Sequence, residues 1–557
     1  MFTWLPAVLT LAATAAIAWP LAWYMQLVLS PTKSNSLIER WNHCLSLTLG
    51  NRSHENPEKW GSYCRSMLAF NYLTFAIAFL VLTFQHYLPL NPDNKTGLEP
   101  SLAFHTAISF VTNTNLQHYS GEVSMSYLSQ LTLMWLQFIS AATGIAVLVA
   151  LARLMSGAKS IGNFYHDVAT VSILILLPLS FLLSIPLVLS GVPMTMAGSV
   201  EVQTLEGATQ TIARGPVAAF VAIKQLGTNG GGFFGPNSAH PFENPTYWTN
   251  LLSNASILLI PMACVWLFGR ITQRMRHAHI VFIVMMLLLI SFTVYATVCE
   301  KQPTRGLDNL PIATSSNLEG KELRFGPDAA PFWAVSTTST SNGSVNAMHD
   351  SLNPLTSIAP LTGMWLNVEF GGVGVGMLNM FLFIVLAVFL AGMMVGRTPE
   401  YLSRKIEAHE MKLALLTILS HPLFILGGIA IFASTPWGRD TLSNPGSHGL
   451  SQIIYEFSSA AANNGSGFEG LGDNTPPWNI FTGIIMLFAR FIPIIAPLAI
   501  AGSLSSKRLI PEGAGTFRTD SWMFGIILLG TILIVGALLF LPLAVLGPIA
   551  EHLQAVQ

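Results

Sequence analysis

Charge is what this chain has least of. Of 557 residues only 10% are Asp, Glu, Lys or Arg, where a soluble chain carries roughly a quarter. That deficit excludes a water-soluble globular domain, and a net charge of −1 leaves no basic field for nucleic acid. Cysteine is equally scarce. Cys44, Cys64, Cys264 and Cys299 show no CxxC spacing and no disulfide framework. The 14 histidines have no ligand spacing beyond His277 and His279, which read as a helix end. No GxxxxGK[ST] stretch occurs, and the glycine-rich run Gly227–Gly232 lacks a surrounding βαβ pattern. Asp93-Asn94-Lys95-Thr96-Gly97 resembles an aspartyl-phosphate motif, but an Asn interrupts it. Nothing in the sequence gives this chain a way to use ATP itself, and no cofactor is expected.

What is abundant is apolar residue: 52% of the chain, with a mean hydropathy of +0.55. Apolar runs at about 5–29, 64–86, 127–152, 168–194, 249–269, 278–299, 374–396, 411–434, 476–500 and 523–549 are each long enough for ~30 Å of hydrocarbon. The first has no small-residue cleavage site after it and reads as a retained helix rather than a signal peptide. The chain is expected to be an all-α, multi-pass membrane protein with about ten transmembrane helices. Basic residues cluster after alternate spans: Lys33, Arg40, Arg52, Lys59 and Arg65; Arg153 and Lys159; Arg270, Arg274 and Arg276; Arg397, Arg404, Lys405 and Lys412; Lys507, Arg508 and Arg518. By the positive-inside rule both termini then lie outside the cytoplasm.

Between the spans one polar motif recurs. It reads Phe110-Val111-Thr112-Asn113-Thr114-Asn115, Leu226-Gly227-Thr228-Asn229-Gly230-Gly231, Ser339-Thr340-Ser341-Asn342-Gly343-Ser344 and Ala461-Ala462-Asn463-Asn464-Gly465-Ser466. Aligned on Asn113, Asn229, Asn342 and Asn464, the copies are 116, 113 and 122 residues apart, a period that sets the architecture. Each follows an apolar stretch (102–111, 217–227, 332–340, 453–462) of about ten residues, too short to span. Such a stretch suits a re-entrant half-helix whose unwound end lines a wet cavity. The chain divides accordingly into a first helix (1–30), pore repeats at 64–154, 168–272, 278–397 and 411–505, and a last helix (523–550). Half-helix C-termini carry partial negative charge. Asn, Ser and Thr hold bends by bonding nearby backbone, and Gly permits positive φ. Backbone carbonyls presented this way replace a cation's hydration shell. No Asp or Glu lies in the four motifs, so the ion expected is monovalent, K⁺ or Na⁺, rather than Mg²⁺ or Ca²⁺. The candidate filter is Val111, Thr112, Asn113 and Thr114; Thr228, Asn229, Gly230, Gly231 and Gly232; Thr340, Ser341, Asn342 and Gly343; and Ala462, Asn463, Asn464 and Gly465. Gln117, Glu122, Glu243, Asp350, Glu469 and Asp473 follow the motifs, as an outer mouth that concentrates cations or as ordinary solvated loop residues.

The motifs FVTNTN (Phe110–Asn115), GTNGGGFF (Gly227–Phe234), HPFENP (His240–Pro245), AMHDS (Ala347–Ser351), GRTPEYL (Gly396–Leu402) and NNGSGF (Asn463–Phe468) resemble those of the potassium-binding A subunit (KdpA) family of Kdp potassium-transporting ATPases, end to end and in order. The resemblance implies a fold of four membrane–pore–membrane repeats that binds extracytoplasmic K⁺. It implies residence in a bacterial cytoplasmic (inner) membrane, with a P-type ATPase subunit that hydrolyses ATP and two small accessory membrane subunits as partners. It further implies that K⁺ leaves sideways towards the pump subunit, and that the second helix of the third repeat blocks straight passage. Here that helix begins with Glu369-Phe370-Gly371-Gly372-Val373-Gly374-Val375-Gly376. Gly371, Gly372, Gly374 and Gly376 are poor helix formers and read either as a broken start or as close helix packing. Leu366-Asn367-Val368 stands where the family usually has Gly-Glu-Val, so a carboxylate appears two places on, at Glu369. Leu116 replaces the usual Trp and Val375 the usual Ser. A stand-alone K⁺ channel or secondary transporter of the same superfamily is the competing function; a membrane-embedded enzyme lacks any clustered nucleophile, base or metal site.

Two cations stand inside apolar surroundings. Arg490 lies within the ninth span, where a charge is costly and faces a partner or a cavity. It is a candidate barrier to cation passage or one half of a buried pair. Lys224 lies near the end of the second half-helix and is expected to serve that helix's carbonyls.

Overall fold

The computed structural model describes residues 4–30, 40–41, 43, 59–158, 160–303, 316–394, 396, 398–511 and 517–554. Lys33, Arg52, Lys159, Arg397 and Cys44, invoked above, lie outside these. Among the described residues ten helices are long and apolar enough to cross a membrane: α1 (Leu5–Leu29), α2 (Trp60–Phe84), α4 (Tyr127–Ser156), α5 (Phe164–Leu189), α7 (Tyr247–Ile271), α8 (Met275–Glu300), α11 (Val375–Met394), α12 (Ala408–Ser434), α14 (Pro476–Ser506) and α15 (Trp522–Gln554). Four shorter helices precede the motifs: α3 (Pro100–Val111), α6 (Val217–Leu226), α9 (Ala329–Ser339) and α13 (Ser447–Ala462).

Local chemistry sets these boundaries. The Glu99 carboxylate caps α3 by accepting N–H bonds from Ser101 (2.8 Å) and Leu102 (3.1 Å), with Pro100 in the first turn, where its missing N–H costs nothing. Ser126 caps α4, and Gly157 ends it at φ 83°. Thr246 and Thr249 form a capping box at the start of α7.

Each half-helix packs between the helices that precede and follow it: α3 against α2 and α4, α6 against α5 and α7, α9 against α8 and the 13-residue helix Pro354–Leu366, α13 against α12 and α14. The repeats then meet in sequence through α4–α7, α7–α9 and α10–α13, where α10 is Pro354–Leu366. Contact between α14 and α3 closes the circle from the fourth repeat to the first. The second helices α4, α7 and α11 are mostly buried, while α1, α2, α5 and α12 present much of their surface outward. The apolar residues of α11 therefore face protein on all sides.

Two elements go beyond the sequence reading. A short antiparallel hairpin, β1 (Val200–Gln203) with β2 (Thr209–Ile212), precedes α6. In the third repeat the second helix is two pieces, α10 and α11, joined by residues 367–374. Of the two readings left open for the glycine run, the break holds. Asn367, Phe370, Gly371 and Gly374 all have positive φ (48°, 73°, 55° and 78°), which no helix accommodates. A Cβ on Gly374 would fall on the Gly144 carbonyl of α4, so close packing and the break occur together.

Candidate functional site

The four motifs meet at the centre of the bundle, and their backbones repeat one turn. In the second copy Asn229 and Gly230 both donate N–H to the Lys224 carbonyl (2.9 and 3.1 Å); Asn342 bonds Thr337 (2.8 Å) and Asn464 bonds Ser459 (2.9 Å). From each of these asparagines the bond reaches back five residues, and from Gly230 six. In the first copy Thr114, not Asn113, makes it, to Ser109 (2.9 Å). The positive-φ pairs give the same register: Asn113 and Asn115, Thr228 and Gly230, Ser341 and Gly343, Asn463 and Gly465. The alignment on asparagines is therefore one residue out in the first repeat. Thr114 occupies the place of Asn229, Asn342 and Asn464, and the structural spacings are 115, 113 and 122. Identity misled because backbone, not side chain, is what repeats.

Neighbouring copies interlock. Asn342 Nδ2 donates to the Lys224 carbonyl (3.0 Å) and Asn464 Nδ2 to the Thr337 carbonyl (2.9 Å). These are equivalent bonds from repeat 3 to 2 and from repeat 4 to 3. Asn229 Nδ2 reaches repeat 1 through Ser140 Oγ (3.2 Å) and Asn113 Oδ1 (2.6 Å), and Asn113 Nδ2 returns to the Thr228 carbonyl (2.9 Å). Asn463 Nδ2 closes the ring on Thr114 Oγ1 (2.9 Å). A Cβ on Gly230 would strike the Asn342 carbonyl, one on Gly343 the Asn464 carbonyl and one on Gly465 the Thr114 carbonyl. At these positions the next repeat occupies the space a side chain would need. Val111, Thr112, Thr340 and Ala462 are buried around this ring.

The second copy is buttressed from behind. Lys224 Nζ pairs with Glu243 and donates to Asn237 Oδ1 (2.6 Å), and Asn237 Nδ2 donates to the Gly230 carbonyl (2.6 Å). Glu243 also accepts the N–H groups of Phe233 (2.7 Å) and Phe234 (3.1 Å). Both ions are fully buried. Glu243 is thus a correction: it is no part of a solvated mouth, because it neutralises Lys224 and takes up two loop amides. Lys224 likewise finds a carboxylate and an amide oxygen rather than helix carbonyls. Gln117 clamps Gly232 at two points, accepting its N–H (2.7 Å) and donating to its carbonyl (3.0 Å), and so ties repeat 1 to repeat 2 beside Gly231. Glu469 is exposed and accepts the Asp350 N–H (3.1 Å). Asp350 itself is engaged by His448 and Gln452, each at 3.1 Å. Glu122 accepts the Gly235 N–H (2.8 Å).

The break between α10 and α11 touches the second, third and fourth copies and the second helix of the first repeat. Gly371 N–H donates to the Ser339 carbonyl (2.8 Å), and Val373 N–H to Thr228 Oγ1 (3.0 Å). Asn367 accepts from Ser341 Oγ (2.9 Å) and donates to the Ala462 carbonyl (3.2 Å). Gly374 abuts Gly144, on the second helix of repeat 1, and Gly376 packs against Phe370 and Gly371. Glu369 is fully buried; one oxygen accepts from Ser339 Oγ (2.7 Å) and the other has no partner. Arg490 lies beside this segment. Its Nη2 donates to the Ser140 carbonyl (3.3 Å), and a Cβ placed on Gly372 would lie 3.9 Å from its Nη1. Among the described residues no carboxylate lies within ion-pair distance of Arg490. A cavity of about 60 Å³ opens beside the break, lined by Asn367, Asn379, His421 and Pro493 among others.

Four short helices interlocked at their C-terminal ends, among ten spans in the described residues, define a multi-pass membrane protein. The chain belongs to the potassium-transporting ATPase A subunit family, whose model matches residues 8–553. It is 50% identical over 498 residues to the potassium-transporting ATPase potassium-binding subunit of Geobacillus kaustophilus, covering 89% of each chain. It is 48% identical over 509 residues to that of Flavobacterium johnsoniae, covering 88% of this chain and 89% of the relative. Its fold is similar to the crystal structure of the potassium transporter TrkH from Vibrio parahaemolyticus, with a TM-score of 0.51 at 12% identity, over 89% of this chain and 97% of that one.

Proposed function

We propose that this chain is the potassium-binding, non-catalytic subunit of an ATP-driven K⁺ uptake complex in a bacterial inner membrane, with both termini outside. K⁺ sheds its water at the ring of four motifs, where backbone carbonyls of residues 111–114, 228–232, 340–343 and 462–465 take over its coordination. The observation that carries this reading is the closed circle of bonds from Asn342, Asn464, Asn229 and Asn463, which fixes four half-helix ends around one axis. Those ends supply negative partial charge without a carboxylate, which suits a monovalent ion.

The segment 367–374 lies on the inner side of the ring as a plug, with Arg490 adding a positive charge next to it. Straight passage is closed there, and K⁺ turns aside towards a companion P-type ATPase subunit that supplies the energy. Two small membrane subunits complete the assembly. No resident cofactor is needed, since K⁺ is cargo.

The test is the ATPase activity of the purified complex against graded K⁺. The proposal expects an ATPase to co-purify with this chain and to saturate with K⁺. A chain that purifies alone and conducts K⁺ without ATP would instead be a channel or secondary transporter.

A further inference from the structure

Behind the filter, between repeats 1 and 4, lies a group of side chains that the transport reading does not use. His118 follows the first motif by three residues, Glu456 is on α13, and Asp473 is in the outer loop after the fourth motif. One ligand atom from each lies within 4.8 Å of the others. His118 Nε2 is 3.1 Å from Glu456 Oε1 and 3.9 Å from Asp473 Oδ2.

The surroundings fix which ring nitrogen is available. Asn479 spends its amide N–H groups on Ser101 Oγ (3.1 Å) and Asn474 Oδ1 (3.3 Å). Its oxygen therefore faces His118 Nδ1 at 2.7 Å, and Nδ1 must be the donor. That leaves Nε2 as the ring nitrogen that faces two carboxylates. Holding the far ring nitrogen of a histidine by an amide or carbonyl oxygen is how proteins orient metal-binding imidazoles.

One imidazole nitrogen and two carboxylates thus converge on a single point. The group also contains unmet demand. Glu456 Oε2 is buried without a partner, and so are both ring nitrogens of His105, which stacks on His118 at 3.8 Å. Buried polar atoms of this kind call for an ion or a water. One imidazole nitrogen with two carboxylate oxygens is a borderline donor set that suits Zn²⁺ and its neighbours better than alkali or alkaline-earth ions. Asp473 has a quarter of its side chain exposed, which supplies a way in from outside.

We propose that His118, Glu456 and Asp473 form a binding site for a divalent transition-metal ion of the Zn²⁺ class, separate from the K⁺ path. A metal there bridges the segment leaving the first motif to the pore helix and outer loop of the fourth, and so fastens the seam where the ring closes. Another histidine flanked by two carboxylates makes a natural control. His448 has Asp350 on Nε2 (3.1 Å) and Glu551 on Nδ1 (2.7 Å), so its carboxylates sit on opposite sides of the ring and cannot share one ion.

The experiment is titration of the purified full chain with Co²⁺ in excess K⁺, read by visible absorption, followed by displacement with Zn²⁺. Saturable binding of one Co²⁺ per chain is expected. It should weaken at least tenfold in Asp473→Asn and in His118→Gln, and persist in His448→Gln. Asp473→Asn keeps shape at a partly exposed position, so it reports on ligation even if His118→Gln folds poorly. No saturable absorption in the wild-type chain would mean that the group holds only a proton and would overturn the proposal. Binding unchanged in both site variants would do the same.

Discussion

Asn115 stands where the other three motifs have glycine. It adopts φ 55°, against 77°, 92° and 102° at Gly230, Gly343 and Gly465. Asn tolerates that conformation better than other side chains, and glycine adopts it freely. Asn115→Gly should therefore leave K⁺ half-saturation of the ATPase within about threefold. Gly230→Ala meets two obstacles: positive φ, costing ~1 kcal/mol or more, and a Cβ placed on the Asn342 carbonyl. Half-saturation should rise tenfold or more, since ~1.4 kcal/mol is a factor of ten. An alanine variant with wild-type K⁺ dependence would remove the second motif from the filter. Behind the same loop, Lys224→Met leaves Glu243 buried and unpaired, an arrangement that costs ~3–5 kcal/mol. The variant's Tm in detergent should fall. Lys224→Met with Glu243→Gln should recover most of the loss, because a Gln oxygen still accepts the Phe233 and Phe234 amides. Equal losses in the single and double variants would mean that the charge pair is not what holds the loop.

Among the elements, the C-terminal end of α15 is tied to the loop before α10 through His448, which bridges Asp350 and Glu551. Hydrogen bonds to Asp350 and Glu551 raise the His448 pKa from 6.5 to about 10 against the opposing effect of burial. A raised folded-state pKa contributes stability that is complete below the unfolded value and is lost as pH climbs through the folded one. Between pH 6.5 and about 10 the wild-type Tm should therefore decline relative to His448→Gln, and below pH 6.5 the difference should be constant. Parallel curves across the whole range would exclude His448 as the tie. This tie was invisible in the sequence because its members are about a hundred residues apart. The ten spans and the half-helices were legible because bilayer thickness imposes length on apolar runs. The α10–α11 break was only half legible. Its glycines permit a break, but the bonds that impose it, from Ser339, Thr228 and Ala462, come from three other segments. The register of the first motif could not be read at all, since Thr114 and Asn115 do with other side chains what Asn and Gly do elsewhere.

For the whole molecule the question raised by the proposed K⁺ path is what stops K⁺ from running straight down its gradient. Segment 367–374 bonds to three of the four motifs, and Arg490 sits against it with a carbonyl but no carboxylate as partner among the described residues. An uncompensated guanidinium in that position repels a cation approaching the plug. Two unit charges ~6 Å apart repel by roughly 3 kcal/mol at an effective dielectric of about 20. Arg490→Met keeps the helix apolar and of similar bulk while removing that repulsion. If the charge limits the rate, passive leak should rise on the order of 100-fold. A purely packing role predicts the opposite pattern: the Ser140 carbonyl loses a donor, folded yield drops, and the surviving protein leaks no more than wild type. Removing a lone buried cation leaves no carboxylate stranded, so the large destabilisation expected from breaking a buried pair does not apply, and the variant should fold well enough to measure. The measurement is ATP-independent Rb⁺ flux into liposomes, normalised to folded protein. A leak at the wild-type level would leave 367–374 as the sole barrier and return Arg490 to the architecture of α14.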